Sequence, residues 1–201
     1  MAKVYEFDGV VPVIDPSSFV HPDAVIIGDV IIGPCCYIGP CACLRGDFGR
    51  ILLGAGANIQ DTCVIHSFPE MDVILEEECH VGHGVILHGC TIRKNALIGM
   101  NSVLMDNVII GENSFVAAMS FVKSGMFVGA NMLIGGVPAK EIRPLTEEEI
   151  LWKSKATKLY QRLAAHSITS MREVVPLEAI ETNRRRVSYS KKDAMTLGEW
   201  R

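Results

Sequence analysis

Three histidines carry a spacing that chemistry could use. His66 and His88 each directly follow a large aliphatic residue, Ile65 and Leu87. They stand 22 residues apart, and His83 precedes the second by five. A neutral imidazole gives one nitrogen lone pair to a divalent cation while its other nitrogen binds a neighbour. Two imidazoles stacked one strand spacing apart, about 4.8 Å, can share one ion. A third nitrogen completes the open three-histidine site used by catalytic zinc and accepted by iron or cobalt. Most of a strand separates His83 from His88, so both cannot easily serve one ion on one chain. The spacing therefore asks for a second copy before it asks for a metal. His21, His80 and His166 complete the set and read as ordinary hydrogen-bonded histidines.

The elements that hold these side chains announce themselves by a period of six. Val20, Ile26, Ile32, Ile38 and Leu44 recur without a slip, followed by Leu53, Ile59, Ile65 and by Leu75, Val81, Leu87. After a five-residue step the register resumes at Ile92, Ile98, Leu104, Ile110, Val116 and Val122. Small or β-branched residues stand four places after many of them: Ala24, Val30, Cys36, Ala42, Ala96, Ser102. Six fits neither a helix nor a long alternating strand. It suits a coil of three short strands, about 18 residues in all, stacked so that each coil completes its neighbour's core. The His66–His88 separation exceeds one coil by four residues. A loop from Ser67 to Asp72, broken by Pro69, absorbs the difference and predicts the two imidazoles on adjacent coils. Cys36, Cys63 and Cys79 fall on the small inward positions, and all seven cysteines read as structural thiols.

The coil is expected to span residues 11–140, with a helical segment over 141–183 and a polar basic tail over 184–201. Thr146 with Glu149 forms a capping box, and Trp152, Ala156, Leu159 and Leu163 make a helical stripe beside Tyr160. Pro176 interrupts a second, weaker helical stretch. The tail carries Arg184, Arg185, Arg186, Lys191 and Lys192, without the aromatic platform of a nucleic-acid binder. The 201 residues are 49% apolar and 21% charged with a net charge of −4, which excludes disorder and a general attraction to nucleic acid or acidic membranes. No apolar run reaches the roughly 18 residues of a membrane span. Seven cysteines without a CxxC pair indicate a reducing, cytoplasmic setting.

The six-residue pattern resembles the hexapeptide repeat of left-handed parallel β-helices, which implies an all-β solenoid with a C-terminal α-helix. The segments Leu44-Arg45-Gly46-Asp47, Ala57-Asn58-Ile59-Gln60-Asp61, Val64-Ile65-His66 and His80-Val81-Gly82-His83-Gly84-Val85-Ile86-Leu87-His88 together resemble the γ-class carbonic anhydrases. That resemblance implies a homotrimer in which His66 and His88 of one subunit and His83 of the next bind Zn2+. It further implies an intersubunit ion pair from Arg45 and Asp61 with Asp47 beside it. Gln60 is implied to orient metal-bound water, and Asn58 to support it. Where the family has a proton-relaying glutamate after the Arg-Gly-Asp segment, this chain has Phe48, which argues against fast CO2 hydration.

Asp47-Phe48-Gly49-Arg50, Phe68-Pro69-Glu70, Met100-Asn101-Ser102-Val103, Ala118-Met119-Ser120-Phe121-Val122-Lys123 and Trp152-Lys153 resemble two narrower bacterial families. These are the PaaY (phenylacetic acid degradation) and CaiE (carnitine operon) types, of which Phe48 and Phe68-Pro69-Glu70 fit the former better. The PaaY resemblance implies a metal-dependent thioesterase acting on ring-hydroxylated phenylacetyl-CoA thioesters. Zinc would lower the pKa of bound water to about 7, and the resulting hydroxide would attack the thioester carbonyl. A γ-type carbonic anhydrase is the second expectation. A hexapeptide acyltransferase or a non-catalytic carnitine/CoA-pathway protein is the third.

Overall fold

The computed structural model describes residues 2–187. Its body is a left-handed parallel β-solenoid of about seven turns, triangular in section, closed by one C-terminal helix. The aliphatic residues of the six-residue register all point into the prism. Ile26, Ile38, Leu44, Ile59, Ile65, Val81, Leu87, Ile98 and Val116 are fully buried. Burying a side chain of this size stabilises by about 1.5–3 kcal/mol each, so the column is the main source of the fold's cohesion.

Three faces result. The first pairs Cys43–Leu44 with Val64–Ile65, Ile86–Leu87, Val103–Leu104 and Phe121–Val122 in parallel register. The second pairs Ile51–Leu53 with Val73–Leu75, Thr91–Ile92, Ile109–Ile110 and Phe127–Val128. The third runs from Phe19–Val20 through Tyr37–Ile38, Asn58–Ile59, His80–Val81 and Leu97–Ile98 to Phe115–Val116. The corners between faces need left-handed backbone, which asparagine tolerates better than most residues. Asn95, Asn113 and Asn131 hold that conformation and form a side-chain ladder, with amide contacts of 2.8 and 2.9 Å.

Two excursions leave the period of six. One is Gly46–Arg50 inside the long strand Cys43–Leu53, and the other is the loop Ser67–Asp72. They pack on each other: the Arg50 amide donates to Asp72 Oδ1 at 3.1 Å, and a Cβ at Gly49 would overlap the Met71 carbonyl. Both lie at the corner between the first and second faces.

The helix α1 (Glu147–Ser170) begins at Thr146, whose side chain accepts from the Glu149 amide while Glu149 returns a bond to the Thr146 amide. Arg143 grips the Glu149 carboxylate through two contacts of 2.8 Å. The helix lies along the third face, but its most buried residues are Glu149, Lys153, Thr157, Ala164 and Ser167. The apolar stripe of Trp152, Ala156, Leu159 and Leu163 is only half-buried beside them. The rotation has a physical cause, since Lys153 Nζ reaches the Glu78 carbonyl and Asn95 Oδ1, at 2.7 Å for the latter. Residues 171–187 form no helix, so the weaker stretch around Pro176 is corrected to irregular chain, and Lys191 and Lys192 lie outside the described residues. Among the described residues no helix is long and apolar enough to cross a membrane.

Candidate metal centre

His66 and His88 are direct cross-strand partners on the first face, as the loop argument predicted. His66 Nδ1 lies 3.3 Å from His88 Nε2. Two nitrogens that each sit 2.0–2.1 Å from one tetrahedral zinc are separated by about 3.3–3.4 Å. The pair therefore fits two corners of such a site. Each ring is also held from behind. His66 Nε2 is 3.0 Å from Asp47 Oδ1, and His88 Nδ1 is 2.6 Å from Asp106 Oδ1. A carboxylate on the outer nitrogen fixes the tautomer and raises the basicity of the inner one. Burial lowers the His66 pKa from its ordinary value, which keeps the lone pair available at neutral pH. Burial alone would raise the Asp47 carboxyl, but its bonds to Arg45 and His66 prevail and hold it low. The Arg45 guanidinium meets Asp47 Oδ2 at 2.6 Å.

Asp106 did not stand out in the sequence. It follows His88 by 18 residues, one coil, and that count was the signal that could have found it. Two half-exposed phenylalanines flank the same imidazoles. The Phe48 ring centroid is 5.3 Å from that of His66, and the Phe68 centroid is 4.9 Å from that of His88. Each comes from one of the two excursions.

The other candidate residues lie elsewhere on the coil. His83 sits at the corner between the third and first faces, where its Nδ1 meets Asp61 Oδ2 at 2.9 Å. Its side chain is 46% exposed, and among the described residues no hydrogen bond occupies Nε2. Five residues of strand and turn, about 16 Å of extended chain, separate it from His88. Asn58 and Gln60 are buried on the third face under α1, where Gln60 Nε2 donates to Asn58 Oδ1 at 3.1 Å. Within one chain Arg45 pairs with Asp47, and Asp61 pairs with His83. The structure thus brings Arg45, Asp47, His66 and His88 together at one corner, and Asn58, Gln60, Asp61 and His83 together at another. Among the described residues of a single chain, no three His, Cys, Asp or Glu side chains could hold a metal.

The cysteines take no part in either corner. Burial pushes the Cys36 and Cys63 thiols up to about 11, and those of Cys79 and Cys90 to about 12. Thiols so protonated are poor nucleophiles and poor ligands. Cys35 and Cys41 are exposed.

Known proteins share this architecture. The family model described as "Bacterial transferase hexapeptide (six repeats)" matches residues 12–46 and 89–124. The carnitine operon protein CaiE of Salmonella typhi is 52% identical over 183 residues, 91% of this chain and 92% of that protein. Among solved structures, a Bacillus cereus protein named as a candidate acetyltransferase superposes with a TM-score of 0.81 at 38% identity, over 82% of this chain and 96% of its own. A hexapeptide transferase family protein from Anaplasma phagocytophilum gives 0.78 at 40% identity, over 81% and 96%.

Proposed function

This chain belongs to the hexapeptide-repeat family of the carnitine operon protein CaiE, and from that premise we propose that it is a metal-dependent hydrolase of CoA thioesters. The observation that carries the reading is the His66–His88 pair, its two nitrogens 3.3 Å apart and each ring backed by a carboxylate. Zinc bound there would supply a nucleophile at neutral pH and polarise the acyl oxygen.

The site is shared between copies of a homotrimer, because His83 presents a free nitrogen at a corner its own chain's pair does not reach. Between the two corners the first face carries an outward column of Cys43, Val64, Ile86, Val103 and Phe121. Val64 and Ile86 are each 42% exposed in the single chain, as an interface centre would be before assembly. Threefold heterologous contacts would close the ring and set each His83 against a neighbour's pair.

In the reaction Asp47 and Asp106 hold the imidazoles, and Arg45 holds Asp47. Gln60, supplied with His83, orients the attacking water, with Asn58 bracing its amide. Phe48 and Phe68 offer aromatic walls to the acyl group, which favours aryl-acetyl thioesters. The CoA thiolate departs without strong protonation, so the missing acid at Phe48 matters little here. A carnitine-pathway thioester is the other candidate, by the name of the relatives.

A γ-type carbonic anhydrase would use the same histidines, and Phe48 counts against it. An acyltransferase is favoured by the names of the two superposed structures. Metal content of fresh protein and a panel of CoA thioesters, with and without chelator, separates these readings. Hydrolysis that tracks zinc supports the hydrolase. Activity that ignores chelation and needs an acceptor contradicts it.

A further inference from the structure

The outward column of the third face reads Phe19, Tyr37, Asn58, His80, Leu97, Phe115 in cross-strand register. Helix α1 lies over it, with the Tyr160 ring 5.5 Å from Tyr37 and 5.2 Å from His80, and Trp152 6.4 Å from Phe115. Such a seat holds a helix by apolar contact. Two adjacent polar side chains at its centre cost desolvation and need a reason.

Their shared partner is Gln60. Its Nε2 donates to Asn58 Oδ1 at 3.1 Å and lies 2.8 Å from His80 Nε2. A primary amide has two N–H donors, so both are engaged and Oε1 is the one polar atom left over. Among the described residues Oε1 makes no hydrogen bond, yet it is not a sealed orphan, for Thr157 Oγ1 is the buried side-chain atom without a partner. A neutral imidazole has a single acceptor nitrogen. The 2.8 Å contact, shorter than the 3.3 Å approach of Asn58 Nδ2 to Nδ1, claims it for Nε2 and puts the proton on Nδ1, which then faces a second donor at a cost that the Gln60 bond must outweigh.

We infer that His80 is a positioning residue: its neutral ring grips the Gln60 amide nitrogen beneath α1, so that Gln60 meets the reacting water only as an acceptor. A water that donates to Gln60 Oε1 keeps a lone pair for the carbonyl carbon. A Gln60 turned the other way would donate to that lone pair and block attack. Burial, helped by the Lys153 charge, keeps the imidazole neutral. The inference rests on the shared-site reading for its effect on rate, but not for its geometry.

Two measurements test it. Two-bond 15N–1H spectra of histidine-labelled protein at pH 7, assigned with His80→Phe, should show His80 as the Nδ1–H tautomer with a bare Nε2. An Nε2–H tautomer or an imidazolium overturns the proposal without reference to any activity. In thioester kinetics, His80→Phe should keep its zinc and its helix seat while kcat falls roughly 10- to 100-fold and KM stays within about threefold. His80→Gln, which restores an acceptor, should recover most of the loss. In a Gln60→Ala background His80→Phe should add nothing further. An equal loss in both backgrounds overturns the proposal. If every thioester is inert, the proposed hydrolase has failed, and the spectrum alone decides His80.

Discussion

At the residue scale, the imidazoles of His66 and His88 are oriented by what stands behind them. Asp47 and Asp106 hold the rings in the tautomer that turns bare nitrogens toward each other. Asp106→Asn should weaken zinc binding roughly 10- to 100-fold in chelator competition while the coil's circular dichroism is unchanged. Phe48→Glu should act in opposite directions on two reactions. A carboxylate beside His66 would accept a proton and raise any CO2 hydration at least tenfold, about 1.4 kcal/mol of barrier, while aryl-thioester cleavage falls. A parallel fall of both would make Phe48 a packing residue. The His66–His88 juxtaposition was legible in the sequence because both follow inward aliphatics and the loop between them accounts for the extra residues. Asp106 required counting one coil further. His80 was read as an ordinary histidine: the 22-residue count that pairs His66 with His88 also sets it beside Asn58, but the letters do not show that a helix covers the two.

Elements bring their own titrations. His80 is lowered to about 3 in the fold, by burial first and then by the Lys153 charge, against about 6.5 in an unfolded chain. Its neutral form is therefore favoured by folding. That stability is complete above about pH 6.5 and is lost as pH falls toward 3. Asp47 and Glu76, held low by their partners, act in the same direction at the acid end. Burial lowers Lys153 to about 7, so protonation of the unfolded chain costs stability as pH falls from about 10.5 to about 7. The four buried thiols are raised, so their contribution is present below about pH 9 and is lost above it. Denaturant midpoints measured against pH should therefore rise through neutrality and peak near pH 8–9. Lys153→Met should flatten the rise between about pH 7 and 8.5, and an unchanged slope would show that this lysine is not titrating in place. Thr146→Ala should cost about 1 kcal/mol and speed hydrogen exchange in α1 without touching the coil. The helix start was legible from Thr146 and Glu149. Its seating was not, because Lys153 bonds to a carbonyl and an asparagine from distant coils, and no helical stripe encodes that.

At the scale of the whole molecule, the solenoid was the most legible feature, since one inward aliphatic per six residues leaves few other folds. The two excursions were harder to read: Ser67–Asp72 showed as a break in register, whereas Gly46–Arg50 is hidden inside one long strand. The proposed assembly rests on what a single chain leaves exposed, an apolar column on the first face with the His66–His88 pair at one side and His83 at the other. The central claim is that His66 and His88 of one copy share an ion with His83 of the next. Subunit mixing tests it most directly. Protein carrying His83→Ala and protein carrying His88→Ala should each be zinc-free. Co-refolded together, they should regain about one zinc and one active site per mixed trimer, because one interface then pairs an intact His66–His88 with an intact His83. If the mixture stays as empty as its parents, or if the His83→Ala protein alone keeps its zinc, the shared site does not exist.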